Sequence, residues 1–327
     1  MGIAYPPRPL AEPRSGRYAG CKRAASEVFD CIPHGSGAYR EKEFFAMGSY
    51  PIVFRNVLYH NVCCERGGAM KVVLLAGGFG TRISEESQFK PKPMVEIGGM
   101  PILWHIMKEY AFYGHTEFII CAGYRQEYIK DWFANYFLHS ANVTFDYRDG
   151  KNEMTVHESS CEPWRVTIVD TGLYTMTGGR IKRVQKYVGN EPFFMTYGDG
   201  VCDVDMNKLL EFHRAHGKLA TLTAVKLGQE KGVLNIGGDN AVKSFREKNL
   251  VDAPPINAGY MVLEPKVFDY IEGDGIPFER EPLEKLAKEG QLMSYVHHGF
   301  WQCMDNARER NMLEQLLSKN AAPWKVW

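Results

Sequence analysis

The feature of this 327-residue chain that most constrains its fold is a short apolar run that ends in a cluster of glycines. The run, Lys71–Ala76, is rich in Val and Leu, which is typical of a strand buried on both faces. It leads directly into Gly77-Gly78-Phe79-Gly80-Thr81-Arg82. Glycine removes the side chain where a backbone must turn sharply and approach a ligand closely. The exposed amides of this glycine turn, residues 77–82, can hold phosphate oxygens, and Arg82 can add a charge-assisted contact.

The glycine turn differs from two better-known ligand-binding loops. The phosphate loop of NTPases requires Lys followed by Ser or Thr after its last glycine, and that pair is absent here. The dinucleotide-binding fingerprint requires a further glycine near position 83, which is Ile83. An ordinary glycine-rich connection between a strand and a helix is the alternative that these residues alone leave open.

A second motif, Lys90-Pro91-Lys92-Pro93-Met94, follows the glycine turn at a short distance. Its two prolines favour an extended segment over a helix. A lysine that projects from a stiff segment toward a phosphate site can stabilise the charge on a transferring phosphoryl group. A solvated pair of lysines is the alternative.

Further along the chain, apolar runs alternate with segments of helical spacing. Residues 117–122 and 191–197 have the composition of buried strands, and residues 101–113 carry apolar side chains at helical intervals. Strands that alternate with helices predict a layered α/β fold with a largely parallel sheet. Residues 219–263 add several strand-like segments of mixed character. Ligands of such sheets bind beyond the carboxyl ends of the strands, where the glycine turn lies.

The apolar run over residues 191–197 leads into Gly198-Asp199-Gly200. A carboxylate at the end of a strand, between two glycines, can reach a metal ion without steric obstruction. Asp199 is therefore a candidate metal ligand, and a structural aspartate in a turn is the alternative. His297 and His298 are adjacent on a strand-like segment, so their side chains point apart, and no third ligand stands at metal-binding spacing.

The two motifs of the amino-terminal half together carry a resemblance. Leu-Ala-Gly-Gly-Phe-Gly-Thr-Arg followed by Lys-Pro-Lys-Pro-Met resembles the N-terminal motif of the nucleotide-diphospho-sugar pyrophosphorylases. The resemblance implies a Rossmann-like, three-layer α/β nucleotide-diphospho-sugar transferase fold with a mostly parallel mixed sheet. It also implies catalysis by Lys92, Arg82 and Asp199. The implied nucleotide-binding residues are Leu75, Ala76, Gly77, Gly78, Phe79, Gly80, Thr81, Arg82, Lys92, Thr175, Arg180 and Gly198.

The same resemblance implies a metal site. Asp305, at the end of an aromatic-rich turn, corresponds to the second metal ligand of the family, so that Asp199 and Asp305 would hold Mg²⁺. Because a helix is expected over residues 306–318, capping of that helix is another role open to Asp305.

A sugar site is implied as well, formed by Glu247, Lys248 and Asn257. Two neighbouring positions depart from the family pattern. Asn249 stands where proline is usual, and Ala258 stands where glycine is usual.

Further stretches resemble the cytidylyltransferases of this family, among them residues 104–108, 169–172, 176–180 and 322–325. This resemblance implies CTP and glucose 1-phosphate as substrates and CDP-glucose as product, for deoxysugars of surface polysaccharides such as O-antigen. It also implies a homo-oligomer, a hexamer. The residues themselves do not determine the base, so UTP or dTTP remains open, as does a non-catalytic sugar-nucleotide sensor on the same scaffold.

Composition argues against several other classes of protein. The 39 basic and 39 acidic residues cancel, which does not favour a nucleic acid or membrane surface as partner. No apolar run approaches the roughly 20 residues of a membrane-spanning helix. The eight cysteines include no CxxC pair, which favours a reducing cytoplasm over a zinc site or a disulfide framework. Residues 1–69 lack the motifs and the helical or strand periodicity of the rest of the chain. We therefore predict that they form an N-terminal extension, poorly ordered or non-native, before a nucleotidyltransferase domain over residues 70–327.

Overall fold

The computed structural model describes residues 69–80, 90–150, 152–226 and 254–327, and the backbone of four strands within residues 45–53 and 233–246. The described residues belong to one compact unit that spans residues 44–327.

Strands and helices alternate through most of this unit. The strands are β1 (Phe45–Met47), β2 (Tyr50–Val53), β3 (Lys71–Ala76), β4 (Glu96–Ile97), β5 (Met100–Pro101), β6 (Glu117–Ala122), β7 (Ala141–Asp146), β8 (Glu153–Ser159), β9 (Arg165–Asp170), β10 (Phe193–Tyr197), β11 (Gly200–Cys202), β12 (Ala220–Val225), β13 (Val233–Ile236), β14 (Val242–Arg246), β15 (Ile256–Leu263), β16 (Leu292–His297) and β17 (Trp301–Cys303). The α-helices are α1 (Ile102–Phe112), α2 (Gln126–His139), α3 (Thr177–Arg183), α4 (Gln185–Val188), α5 (Met206–His216), α6 (Glu281–Lys288) and α7 (Ala307–Ser318). Short 3-10 turns are Lys92–Met94, Arg148–Gly150 and Pro265–Tyr270.

A seven-stranded sheet with the order β16-β12-β15-β10-β3-β6-β9 forms the centre of the fold. β3 pairs in parallel with both β10 and β6, and β6 pairs in parallel with β9. β15 runs antiparallel to its neighbours β10 and β12, and β12 pairs in parallel with β16. The predicted mostly parallel mixed sheet is confirmed, with β15 as the reversed strand.

The alternation of side chains along β3 divides the core into two layers, one on each face of the sheet. Val72 and Leu74 pack in one apolar cluster with α1 and the carboxyl-terminal Trp324. Val73 and Leu75 pack in a second cluster that includes Ile181 of α3. Because β3 is covered on both faces, its valines and leucines at positions 72–75 are fully or almost fully buried, and each contributes about 1.5–3 kcal/mol to folding. The predicted three-layer arrangement is therefore confirmed.

A smaller, four-stranded sheet has the order β1-β2-β8-β7. The hairpin β7–β8 was not among the sequence expectations; its half-buried positions, among them Val143, Met154 and Val156, alternate with exposed ones. β2, from the amino-terminal 69 residues, pairs in parallel with β8, with Ile52 opposite Met154.

Candidate active site

The carboxyl ends of β3 and β10 bring the glycine turn and Asp199 together. The two strands are parallel neighbours with Tyr197 opposite Leu75, and Gly198 N donates a hydrogen bond to Leu75 O over 3.0 Å. A Cβ atom at position 198 would lie 2.8 Å from Leu75 O and 3.1 Å from Pro93 Cγ. The chain leaving β10 therefore passes so close to β3 and to the proline motif that position 198 requires glycine.

Asp305 reaches the same edge of the sheet through a short second ladder. β11 and β17 pair antiparallel, with Gly200 opposite Cys303. Met304 N then donates to Asp199 O over 2.8 Å. Because one aspartate precedes β11 and the other follows β17, this pairing sets their separation.

The helix that follows Asp305 has a different cap. Asn306 is the N-cap of α7, and its side chain accepts a hydrogen bond from Glu309 N over 3.0 Å. The carboxylate of Asp305 is directed instead at Lys92. The alternative of Asp305 as the helix cap is wrong, since the neighbouring asparagine takes that role.

Lys92 lies between the two aspartates. Pro91 is extended, with φ −65° and ψ 146°, and the chain then forms the 3-10 turn Lys92–Met94. Lys92 Nζ is 2.5 Å from Asp199 Oδ2 and 2.5 Å from Asp305 Oδ1. Burial by itself lowers the pKa of Lys92, but the attraction and hydrogen bonds of the two carboxylates outweigh it and raise the pKa above its usual value. The ammonium group is therefore charged throughout the neutral range.

The two carboxylates fit a hard divalent cation. Both carboxylate oxygens contact the same nitrogen, so they lie no further apart than twice 2.5 Å. Their side chains are 32% and 28% exposed, which leaves room for water or phosphate ligands. Oxygen ligands from one or two carboxylates, completed by water and substrate phosphates, are the usual protein setting for Mg²⁺.

A second group of possible metal ligands shares Asp305. Ligand atoms of Cys303, Asp305 and Glu309 lie within 4.8 Å of one another. Burial and the nearby carboxylates raise the pKa of the Cys303 thiol to about 12, so a cation bound there would have to displace the thiol proton at a cost. Glu309 Oε2 already accepts a hydrogen bond from Asp305 N over 2.5 Å. The Asp199–Asp305 pair is therefore the better candidate for a Mg²⁺ site.

Arg180 of α3 explains one of the glycines in the turn. A Cβ atom at Gly77 would lie 2.1 Å from Arg180 Nη1, and one at Gly123 would lie 2.4 Å from the same atom. Among the described residues, and leaving out its two chain neighbours, no heavy atom lies within 4 Å of a Cβ built at Gly78. Gly77 is thus required because the guanidinium packs against the backbone, whereas the described residues leave room for a Cβ atom at Gly78.

The guanidinium of Arg180 ties together the connections that follow β6 and β9. It donates to Thr171 Oγ1 over 2.8 Å, to Gly172 O over 2.8 Å, to Leu173 O over 3.2 Å and to Ala122 O over 3.3 Å. Arg180 is only 4% exposed, and this burial lowers its pKa. The sequence expectation of a direct contact to nucleotide stays a prediction, and the contacts of Arg180 to protein give it a structural role as well.

The other residues expected to bind nucleotide are placed along the same edge. Leu75 and Ala76 end β3 and are almost fully buried, so they can offer only backbone atoms to a ligand. Phe79 is 42% exposed, and Thr175 is buried beside Gly172. Thr81, Arg82, Glu247 and Lys248 lie outside the described residues.

An exposed aromatic cluster stands beside the glycine turn and was not singled out as a group from the sequence. The ring of Phe79 lies 5.3 Å from that of Tyr124 and 5.9 Å from that of Tyr174. The three residues follow β3, β6 and β9, so adjacency of these strands in the sheet is what gathers them.

On the other side of Asp199, Asn257 of the expected sugar site lies beside a polar cluster that the sequence reasoning missed. Asn257 Oδ1 accepts from Gly259 N over 2.9 Å, and its side chain also bonds Tyr197. Tyr197 Oη donates to Glu279 Oε1 over 2.5 Å, and Thr177 Oγ1 donates to Glu279 Oε2 over 2.5 Å. The position of Tyr197 directly before Gly-Asp was the available signal for this cluster, whereas Glu279 carried none.

Together, the fold and the site define a class of protein. A glycine turn at the carboxyl end of a central parallel strand, beside a lysine held by two aspartates, is suited to binding a nucleotide and its phosphates with a divalent cation. A family model described as nucleotidyl transferase matches residues 71–305, and the chain belongs to this family.

Proteins of similar sequence agree with that assignment. The glucose-1-phosphate cytidylyltransferase of Salmonella typhimurium is 54% identical over 259 residues, which are 79% of this chain and 100% of that protein. A probable glucose-1-phosphate cytidylyltransferase of Bacillus subtilis is 42% identical over the same shares of the two chains. The mannose-1-phosphate guanyltransferase of Saccharomyces cerevisiae is 30% identical over 75% of this chain and 63% of that protein.

Solved structures share the fold at lower identity. HddC from Yersinia pseudotuberculosis has a TM-score of 0.56 at 24% identity, covering 76% of this chain and 99% of that chain. A UDP-glucose pyrophosphorylase complexed with UDP-glucose has a TM-score of 0.56 at 18% identity, covering 77% of this chain and 100% of that chain. These likenesses establish the nucleotide-diphospho-sugar transferase fold. Within the part of the chain that the structure describes, no helix is long and apolar enough to cross a membrane.

Proposed function

We propose that this protein transfers a cytidylyl group from CTP to α-D-glucose 1-phosphate, giving CDP-glucose and pyrophosphate. The observation that carries the proposal is the Lys92–Asp199–Asp305 cluster beside the glycine turn, in a chain 54% identical to a glucose-1-phosphate cytidylyltransferase along that protein's full length. The identity supports the choice of base and sugar, and the cluster supports the chemistry.

In the proposed reaction, an oxygen of the sugar phosphate attacks the α-phosphorus of CTP in line. A new phosphorus–oxygen bond forms to the sugar phosphate, and the bond from the α-phosphorus to the bridging oxygen of pyrophosphate breaks. The protein supplies no nucleophile, because both reacting groups belong to the substrates. Its task is to hold two anionic substrates together in the correct orientation and to offset the repulsion between them.

Lys92 is suited to this task because its ammonium group is charged and its position is set on two sides. The surrounding prolines restrict its backbone, and two carboxylates hold its Nζ atom in place. Entering phosphate oxygens can replace one carboxylate as its hydrogen-bond partner. The displaced carboxylate is then available to a cation. Lys92 would contact the oxygens of the α-phosphate, where negative charge develops in the transition state.

Asp199 and Asp305 would hold Mg²⁺, which when bound supplies positive charge to the phosphate oxygens of the nucleotide. The amides of the glycine turn, with Thr81 and Arg82, would bind the phosphates and ribose. Asn257, with Glu247 and Lys248, would bind the sugar phosphate. The resemblance to cytidylyltransferases also leads us to propose a homo-oligomer, specifically a hexamer, which light scattering after size-exclusion chromatography would measure.

The test is a pyrophosphate-release assay with glucose 1-phosphate and Mg²⁺, in which CTP, UTP, dTTP, ATP and GTP are offered separately. We expect release with CTP. Release with UTP or dTTP alone would keep the fold and chemistry but refute the assignment of the base. The absence of release with every nucleotide, from folded protein, would refute the catalytic role and favour a sugar-nucleotide sensor.

A matched pair of variants ties the activity to the site. Lys92→Met keeps the length of the side chain and removes its charge, and we expect a loss of activity of about 100-fold or more. Lys90→Met is the control, because Lys90 belongs to the same motif but pairs with Glu96 over 2.9 Å, away from the two aspartates. Equal losses in the two variants would mean that the motif acts through folding and not through the charge at position 92.

A further inference from the structure

A buried carboxyl group lies beneath the segment that carries Asp199, and the proposed chemistry makes no use of it. Glu109 of α1 is 1% exposed and lies in the core between α1 and β11. No cationic side chain among the described residues pairs with it, and an unpaired buried carboxylate is costly, so burial raises the pKa of Glu109 well above its usual range. The side chain is accordingly a neutral carboxylic acid, which can donate one hydrogen bond and accept others.

The neighbours of Glu109 specify where its proton lies. Tyr260 Oη is 2.8 Å from Glu109 Oε2 and 2.8 Å from Gly200 O. A backbone carbonyl can only accept, so the single proton of the tyrosine hydroxyl is donated to Gly200 O. Glu109 Oε2 therefore donates its own proton to Tyr260 Oη. Glu109 Oε1 accepts from Cys202 N over 3.3 Å, so every polar atom of this network has a partner.

This network holds both ends of β11, the strand that links the two aspartates of the site: it directly follows Asp199 and pairs with the strand that leads to Asp305. Gly200 and Cys202 are the first and last residues of β11. Gly200 directly follows Asp199, and β11 pairs with β17, which leads to Asp305. A shift of β11 would move Asp199 relative to Lys92 and to Asp305. The network lies behind the site, on the side away from solvent, because Tyr260 and Cys202 are each only 1% exposed.

We propose that Glu109 is a positioning residue for the metal site: through Tyr260 and β11 it sets the distance between Asp199 and Asp305. The inference rests on the proposed function in one respect, that these two aspartates bind the divalent cation. Glu109 touches neither substrate nor metal, and its contribution is the fixed geometry of the strand between the ligands. Residues that orient metal ligands by direct hydrogen bonds change metal affinity by about 10–100-fold when they are removed, and Glu109, which acts through Tyr260 and β11, is expected at the lower end of that range.

Two substitutions at position 109 separate positioning from packing. Glu109→Gln keeps both interactions, because its amide nitrogen can donate to Tyr260 Oη and its oxygen can accept from Cys202 N. Glu109→Leu has a similar volume and keeps neither. The measurements are Mn²⁺ binding to the substrate-free protein, followed by the electron paramagnetic resonance signal of free Mn²⁺, and the Mg²⁺ concentration that gives half-maximal pyrophosphate release. Asp199→Asn is the reference for a lost ligand.

We expect Glu109→Leu to weaken Mn²⁺ binding by about tenfold or more and to raise the half-maximal Mg²⁺ concentration similarly, with a smaller change in the KM for glucose 1-phosphate. Glu109→Gln should stay within about twofold of the parent. Tyr260→Phe removes only the bridging hydroxyl, so it should weaken Mn²⁺ binding several-fold even if the leucine variant does not fold. Parent-like Mn²⁺ binding in Tyr260→Phe, or equal losses in the glutamine and leucine variants, would overturn the proposal.

The Mn²⁺ measurement also separates this inference from the proposed function. If the parent protein binds Mn²⁺ in a manner that depends on Asp199 but releases no pyrophosphate, the proposed function fails and the role of Glu109 is still decided by its variants. If the parent binds no Mn²⁺, the inference fails whatever the activity.

Discussion

Two buried histidines make the stability of this protein sensitive to mild acid. His105 Nε2 donates to Ile97 O over 2.9 Å, and its Nδ1 atom accepts from Trp324 Nε1 over 3.4 Å. His115 Nδ1 accepts from Met70 N over 3.2 Å. In each ring, Nδ1 therefore accepts a hydrogen bond from an N–H group of another residue. Protonation of Nδ1 would direct its new N–H at that donor, so the two N–H groups would repel each other. Burial lowers the pKa of each histidine from 6.5 to about 4.

The direction and size of the effect follow from this difference. The folded protein keeps both rings neutral, whereas the unfolded chain binds protons at each histidine below pH 6.5. Stability is therefore complete above pH 6.5 and is lost as the pH falls toward 4, below which both states are protonated. At pH 5 the loss is about 2 kcal/mol for each histidine. Roughly 4 kcal/mol is a large part of the 5–15 kcal/mol by which domains are usually stable.

The assay is urea unfolding at pH 7 and pH 5, compared between the parent and His115→Asn. The Oδ1 atom of asparagine can accept from Met70 N as Nδ1 does, but it cannot be protonated in this range. We expect the variant to lose about 2 kcal/mol less than the parent between the two pH values. His139→Asn, at an exposed position in α2, is the control and should keep the parent's pH dependence. If His115→Asn destabilises as much as the parent on acidification, the reasoning from Nδ1 is refuted.

Three further predictions concern the site. Gly77→Ala should lower the free energy of unfolding by about 1–3 kcal/mol and raise the KM for CTP, because its Cβ atom would lie 2.1 Å from Arg180 Nη1. Gly78→Ala, whose Cβ atom would have no contact within 4 Å among the described residues beyond its chain neighbours, should do neither, and equal effects of the two variants in urea unfolding and kinetics would contradict the packing argument. Arg180→Lys should lower the free energy of unfolding in urea by about 1–3 kcal/mol, because an ammonium group cannot reach all the acceptors that the planar guanidinium joins. An unchanged unfolding midpoint would show that these hydrogen bonds add no stability. Asp305→Asn should abolish most Mn²⁺ binding but keep the free energy of unfolding within about 1 kcal/mol of the parent's, because Asn306 and not Asp305 caps α7. A large loss of helix content in circular dichroism would instead assign Asp305 a role in folding.

Much of the fold and of the candidate site in the first half of the nucleotidyltransferase domain was predictable, because the sequence signals there are local. The apolar run Lys71–Ala76 can bury both faces only inside a layered sheet, and the glycines that follow it have a backbone role that few other residues can fill. The placement of Lys92 by prolines and of Asp199 by flanking glycines is likewise a property of adjacent residues. These local features predicted the candidate site and, through the resemblance they carry, the family.

Sequence reasoning was weakest where the deciding contacts join distant residues. Lys92 and Asp305 are separated by 213 positions, and Glu109 and Tyr260 by 151. Glu109 is one of seven buried residues in the eleven-residue helix α1, but a glutamate is a residue type that sequence reasoning places at the surface. Its burial depends on β11 lying against α1. In the same way, the aromatic cluster of Phe79, Tyr124 and Tyr174 exists only because β3, β6 and β9 are adjacent in the sheet.

The amino-acid sequence by itself determined the alternation of strands and helices and the glycine turn, because hydrophobic period, proline and glycine act on the residues nearest to them. The choice of Lys92 over Lys90, and of Mg²⁺ as the ion at Asp199, came from the resemblance to the family. Only the tertiary structure decided that Asp305 faces Lys92 and does not cap α7, that the Arg180 guanidinium is buried under the glycine turn, and that a neutral Glu109 holds β11. The physical reason is that pairing between β11 and β17 and packing of α1 against β11 bring together groups that have no local preference for each other. Their geometry follows from the register of whole strands.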